Sequence, residues 1–214
     1  LLKNWDEECP LTREEAVEVL NLPEEEMDSL MECAYALRTK YKGKKVSVQL
    51  LTNVRSGNCT QNCAYCAQSK DSQAEIEKYK RVSDEKLYGD NDLVDEKHLA
   101  RHCIGLSGIG FSDEEIEDLA DRIREMKKKD TQICCSIGFL TEKQARILKD
   151  AGLDRINHNL NSSRSFYPEI CTTHTYDQRV NNIKMLQSLG FEICSGGIVG
   201  MGESKEDIVD MLMD

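Results

Sequence analysis

Apolar and polar positions follow two periods along this chain. Between Lys45 and Val54 apolar side chains recur at every second residue, at Val46, Val48 and Leu50, and predict a strand. From Arg101 onward a repeating order begins: a short apolar run, a polar turn, then an amphipathic helix. Strands are expected near Arg101–Leu106, Gln132–Ile137, Asp154–Asn159 and Glu192–Val199. The helices open with side-chain caps, Ser112 with Glu115, Thr141 with Gln144 and Ser204 with Asp207. Over 113–128, Ile116, Leu119, Ala120, Ile123 and Met126 fall at helical spacing, and Gly152 and Gly190 stand where left-handed caps belong.

Alternating strands and helices imply parallel βαβ units with right-handed crossovers. With the strand before residue 55 there are five units. A closed barrel usually takes eight, and an open five-stranded version leaves two edges unpaired. The expectation is an α/β fold, a partial parallel (β/α) barrel. The chain does not begin with Met and stops at Asp214 inside a helical period, so a fragment is expected.

The first 44 residues differ in character. Thr12 and Glu15 form a capping-box pattern ahead of Ala16, Val19 and Leu20. A second helix, with Pro23 near its start, aligns Met27, Leu30, Met31, Ala34 and Tyr41 in a stripe. Residues 1–44 are therefore expected to be a helical extension and 45–214 the barrel core. Cys9 and Cys33 read as small buried apolar groups on helices. Residues 68–98 are strongly polar, and Gly89–Asp92 has turn chemistry, so a solvated loop or a broken helix is expected there.

Charge changes the picture only by exclusion. A net charge of −11 makes nucleic-acid backbones poor partners. No signal peptide is visible, and no apolar run approaches the ~20 residues of a membrane helix. Ten cysteines in 214 residues, in a chain read as cytoplasmic and reduced, argue for metal binding over disulfides.

The densest chemistry is C-x3-C-x2-C at Cys59, Cys63 and Cys66, three thiols within eight residues and just after the first strand. Parallel α/β barrels place their chemistry at such strand ends. A [4Fe–4S] cluster normally takes four cysteines, so three leave one iron without a protein ligand. An open position is what makes a metal centre chemical rather than structural. S-adenosylmethionine (SAM) can chelate such an iron, and one electron can then cleave its C–S bond. The competing reading is half of a zinc site, but no second C-x2-C or H-x3-H pair accompanies it.

Cys103, Cys134 and Cys194 each fall inside a predicted strand. In barrel register their side chains can share an interior layer at similar depth and ligate a second metal centre. Three separately buried cysteines is the alternative. Asn157, Asn159 and Asn161 run off a strand end, where amides suit ribose hydroxyls or a urea-like group. His158 alternates to the other side and is expected to be packed or hydrogen-bonded. Ser195–Glu203 carries four glycines, a weak nucleotide signal.

At these residues the chain resembles the biotin synthase family of the radical SAM superfamily. The matching segments are Asn58–Ser69, Ala100–Cys103, Asn157–Leu160, Thr172–Tyr176 and Cys194–Glu203, and the resemblance spans about residues 45–214. It implies a radical SAM type of barrel and a sulfurtransferase that inserts sulfur into dethiobiotin. A deoxyadenosyl radical would remove hydrogen from two unactivated carbons. It implies that Cys59, Cys63 and Cys66 hold a [4Fe–4S] cluster that binds SAM, and that Cys103, Cys134 and Cys194 hold an auxiliary [2Fe–2S] cluster. Tyr65 would sit by the adenine, Asn159 and Asn161 near the ribose, Asn159 also near the ureido ring, and Ile198 and Gly200 along the adenine. An electron donor such as flavodoxin or ferredoxin and a homodimer are further implications. The family's fourth auxiliary ligand, typically an arginine, would lie beyond Asp214. Asn161 stands where many members have Asp, and Cys135 is an extra thiol expected to point away from Cys134. Another radical SAM enzyme of the same branch, acting on a different small molecule, is the alternative.

Overall fold

A computed structural model describes residues 10–214. Cys9 lies outside the described residues. Five strands form one parallel sheet in sequence order: β1 (Gln49–Arg55), β2 (Arg101–Leu106), β3 (Ile133–Ser136), β4 (Arg155–Asn157) and β5 (Glu192–Cys194). Eight helices accompany them: α1 (Arg13–Leu20), α2 (Met27–Lys42), α3 (Asp84–Glu96), α4 (Asp113–Met126), α5 (Glu142–Asp150), α6 (Tyr167–Ile170), α7 (Tyr176–Ser188) and α8 (Lys205–Met213). No helix among the described residues is long and apolar enough to cross a membrane.

The helices start where their caps predict. Thr12, Ser112, Thr141 and Ser204 each close a capping box. Gly152 and Gly190 take φ of 96° and 77°. The strand read at Glu192–Val199 ends earlier, at Cys194, because Ser195 onward leaves the ladder for the loop that carries Gly197.

Register explains how the sheet divides its two faces. Ile104, Cys135, Ile156 and Ile193 are successive partners across β2 to β5. They pack outward against Leu87, Ile116, Leu119, Ile123, Leu148 and Leu186 of the helices. Ile104, Cys135 and Ile156 are fully buried. Each such isoleucine contributes ~1.5–3 kcal/mol of burial. Cys135 thus belongs to this apolar layer, away from its neighbour Cys134. The alternate residues, Cys103, Gly105, Cys134, Ser136, Arg155 and Asn157, face the interior of the curved sheet, since strand side chains alternate.

One expectation is overturned. Gly89–Asp92 neither turns nor breaks a helix: α3 runs through it. Ser83 caps the helix, and two of the polar residues are buried partners rather than solvated ones. Asp90 accepts from Thr52 at 2.6 Å and from Lys86 at 2.6 Å. Asn91 donates to the Met126 carbonyl at 3.2 Å, and its side-chain oxygen lies 3.2 Å from His102 Nδ1. Tertiary hydrogen bonds outweigh the weak local propensity.

The apolar stripe of α2 is not buried: Met27 is 43% and Met31 63% exposed. Cys33 is half-buried rather than buried. α1 packs against α8, where Arg13 pairs with Asp210 at 2.5 Å.

Candidate active site

The chain turns sharply at the end of β1. Gly57 and Asn58 both adopt positive φ, 72° and 55°. A Cβ on Gly57 would come within 2.5 Å of the Lys78 side chain, so glycine is required twice over. The loop then folds on itself. Gly57 N–H donates to the Gln68 side chain, Lys70 N–H donates to the Gln61 carbonyl at 2.9 Å, and Ser69 Oγ donates to the same carbonyl at 3.1 Å.

This loop brings Cys59, Cys63 and Cys66 onto the wall of one cavity of about 310 Å3 at the C-terminal ends of the strands. Tyr65, Asn157, Asn159 and Asn161 share that wall. The three thiols carry no disulfide, and no other cysteine lines the cavity. A donor set of three free thiols on one concave surface fits a cluster held by three thiolates. It does not fit a closed four-ligand zinc site.

Asn161 ties the far side of the cavity to the cysteine loop. Its backbone is left-handed, with φ of 72°, and its Nδ2 donates to Tyr65 Oη at 2.7 Å. Burial pushes the Tyr65 phenol well above its ordinary range, with the Cys63 sulfur adding to the effect. The phenol therefore stays neutral and keeps its own hydrogen to donate. His158 is buried and packs against Phe139, ring centroids 5.3 Å apart. Burial first, and then the nearby Arg179, lower its pKa to about 4, so the ring is neutral near pH 7.

Behind Cys63 lies a group whose role the sequence did not suggest. Cys171 Sγ sits 3.7 Å from Cys63 Sγ, and His174 Nδ1 is 3.3 Å from Cys171 Sγ. Arg179 of α7 organises this corner. It donates to Tyr167 Oη at 2.5 Å, to the Asn159 carbonyl at 3.1 Å and to His174 Nε2 at 2.9 Å. With Nε2 accepting, the ring hydrogen resides on Nδ1, which donates to Gln61 Oε1 at 2.9 Å. Burial, with Arg179 adding to it, brings the His174 pKa down to about 4. Cys63, Cys171 and His174 are close enough to share a metal ion, but this tautomer turns a hydrogen rather than a lone pair toward the sulfurs. The Thr172–Tyr176 segment was visible in the sequence as a motif. What tied it to the cysteine loop was long-range pairing that periodicity does not encode.

The second set of cysteines lies deeper in the sheet. Cys103 and Cys134 are direct partners on β2 and β3, and Cys134 is partnered on its other side by Arg155. The two thiols influence each other's titration, which lowers the Cys103 thiol pKa and raises that of Cys134. Similar depth needs one correction. Cys194 pairs with Asn157, one pleat nearer the C-terminal strand ends than the row of Cys103, Cys134 and Arg155. It stays on the same face, and the tilt of barrel strands brings staggered rows to one level. The Cys134 thiol accordingly feels the charge of Cys194. Three same-face thiols from β2, β3 and β5, with Arg155 of β4 between them, fit a small cluster.

Ile198 and Gly200 stand on the glycine-rich loop rather than on the wall of the cysteine cavity. Ile198 N–H donates to the Asn161 carbonyl at 2.9 Å and its side chain is 37% exposed. Gly200 takes φ of 97° and its N–H donates to Glu203. A Cβ on Gly197 would overlap the Met211 sulfur, which keeps the loop tight against α8.

Comparison with known proteins agrees with this geometry. The family model described as the radical SAM superfamily matches residues 53–214. The chain is 41% identical over 202 residues to the biotin synthase of Geobacillus kaustophilus (strain HTA426), covering 94% of this chain and 61% of that protein. It is 40% identical over 206 residues to the biotin synthase of Rhodopirellula baltica, covering 96% and 57% respectively. The chain thus spans about three fifths of the length of these curated relatives. Among solved structures, methylornithine synthase superposes with a TM-score of 0.86 at 17% identity, over 99% of this chain and 61% of that one. The FeFe-hydrogenase maturase HydG from Carboxydothermus hydrogenoformans superposes with a TM-score of 0.80 at 20% identity, over 94% and 48%. At such identities these two speak to the fold alone. The family match covers three quarters of the chain, and strands β2 to β5, the cysteine loop and the cavity all lie within it, so this chain belongs to the radical SAM superfamily.

Proposed function

We propose that the chain carries the catalytic core of a biotin synthase, which uses SAM to insert sulfur into dethiobiotin. The observation that carries the reading is one cavity at the strand ends whose lining brings together three loop thiols and the amides of Asn157, Asn159 and Asn161. Support for the substrate comes from the named relatives at 40–41% identity. Residues 45–214 would form the core and residues 1–44 a helical extension. We propose a cytoplasmic homodimer, served by an electron donor such as flavodoxin or ferredoxin.

In this reading Cys59, Cys63 and Cys66 hold a [4Fe–4S] cluster, and Cys103, Cys134 and Cys194 hold a [2Fe–2S] cluster. When bound, the first cluster and SAM supply a carbon radical, which can take hydrogen from an alkyl C–H that no side-chain base can deprotonate. The protein's share is binding, orientation and exclusion of water. Tyr65 is fixed by Asn161 and presents its ring to the adenine. Asn161 keeps its side-chain oxygen to accept from a ribose hydroxyl. Asn159 has its backbone carbonyl bonded to Arg179. Its side-chain amide, on the cavity wall, would offer one donor edge and one acceptor edge, the pattern a ureido group requires. Ile198 and Gly200 would flank the adenine from the glycine-rich loop. Nothing in this arrangement asks a side chain to move a proton.

The experiment is anaerobic reconstitution of the full-length protein with iron and sulfide, followed by SAM, reductant and dethiobiotin. Formation of both 5′-deoxyadenosine and biotin is expected. SAM cleavage without biotin would favour a different substrate, and neither product would overturn the reading.

A further inference from the structure

Cys171 is not among the residues that line the cavity, yet its sulfur lies 3.7 Å from Cys63 Sγ. Both residues are buried. The two backbones that carry them are clamped side by side. Ala64 N–H donates to the Ile170 carbonyl at 2.9 Å. Asn62 Nδ2 donates to Thr172 Oγ1 at 2.7 Å, and Asn62 Oδ1 accepts from the N–H groups of Thr172 and Thr173 at 3.1 and 3.3 Å. The sulfurs are therefore held in register by main-chain and amide contacts that do not involve the thiols. The 3.7 Å between the two sulfurs lies within ~1.7 Å of a disulfide bond length.

We propose that, in protein without its cluster, Cys63 and Cys171 form a reversible disulfide that withdraws one ligand of the three-thiol loop. The inference rests on the proposed function in one respect only, the assignment of Cys63 as a cluster ligand. The step is a thiol–disulfide exchange with a small disulfide of the glutathione class. One protein sulfur attacks the small disulfide, breaking its S–S bond and releasing one small thiol. The second protein sulfur displaces the other small thiol as the Cys63–Cys171 bond forms. The protein loses two hydrogens and two electrons, and the two released thiols gain them. A dithiol reductant reverses the exchange. Access is available because Cys63 reaches the cavity wall. The consequence is that ligation and disulfide formation exclude each other. An emptied loop is then closed in a reducible state instead of proceeding to sulfinic acid, which does not return.

The test uses full-length protein freed of iron and incubated with oxidised glutathione. Free thiols are blocked, and proteolysis without reductant is followed by tandem mass spectrometry. The expected product is a peptide containing Cys63 joined to the peptide containing Cys171, absent from Cys171→Ser and Cys63→Ser and lost on adding dithiothreitol. Its absence from the wild-type digest, or joining of Cys171 to a different cysteine, overturns the proposal. In a parallel measurement, Cys171→Ser is reconstituted with iron and sulfide and should reach wild-type iron content. A deficit specific to that variant would make Cys171 a ligand and also overturn it. Failure of the wild type itself to bind iron would instead count against the assignment of the loop, while the linked peptides would still decide the disulfide.

Discussion

Asn161 Nδ2 donates to Tyr65 Oη across 2.7 Å, joining the loop after β4 to the C-x3-C-x2-C loop after β1. The bond connects residues 96 positions apart, both of which line the cavity. Asn161 is 4% exposed, so losing its partner leaves a buried donor unpaired. Such a loss costs ~1–3 kcal/mol. Tyr65→Phe is expected to weaken SAM binding by roughly tenfold, since ~1.4 kcal/mol is a factor of ten. Isothermal titration of the reconstituted protein with SAM measures it, and an unchanged dissociation constant would remove the bond from the account.

Cys63→Ala should abolish 5′-deoxyadenosine production, because two thiols cannot retain the cluster. Cys33→Ala, on α2 and remote from the cavity, should leave it unaltered. Chromatographic quantitation of the nucleoside separates the two, and retained production in Cys63→Ala contradicts the assignment.

Cys134→Ala should separate the two halves of the chemistry. Its sulfur belongs to the interior row of the sheet, whereas Cys59, Cys63 and Cys66 belong to the loop at the strand ends. SAM cleavage is expected to continue while biotin output ceases. Equal losses of both products would mean that the inner thiols support the fold instead.

How far could this be seen in the residues alone? The strands, the capped helices and the turn of Cys135 away from Cys134 were legible because each follows from a local period. The three loop thiols were legible because they fall within a span of eight residues. Gly89–Asp92 was misread because its polar groups find partners on β1, β2 and α4 that no local window contains. Cys171 and His174 were missed for the same reason: they meet Cys63 and Gln61 across more than a hundred residues. The stagger of Cys194 follows from strand tilt, which pairing reveals and spacing does not.

Acid should destabilise the fold through His158. Its folded pKa of about 4 lies below the ordinary 6.5. A depressed histidine favours the neutral folded form, so its contribution is fully present above pH 6.5 and is lost as pH falls toward 4. At ~1.4 kcal/mol per unit, the loss approaches ~3 kcal/mol. Urea midpoints of wild type and His158→Asn, compared between pH 7 and pH 4, should show a shallower decline in the variant. Parallel declines would contradict the assignment of that slope to His158.

The three-thiol cluster is tested most directly by Mössbauer spectroscopy of full-length protein reconstituted with isotope-enriched iron, before and after addition of SAM. One iron site, and one only, should change its isomer shift when SAM is added, and the signal should be missing from the Cys59→Ala, Cys63→Ala, Cys66→Ala triple variant. Superimposable spectra, or an intact four-iron cluster in the triple variant, would contradict the account.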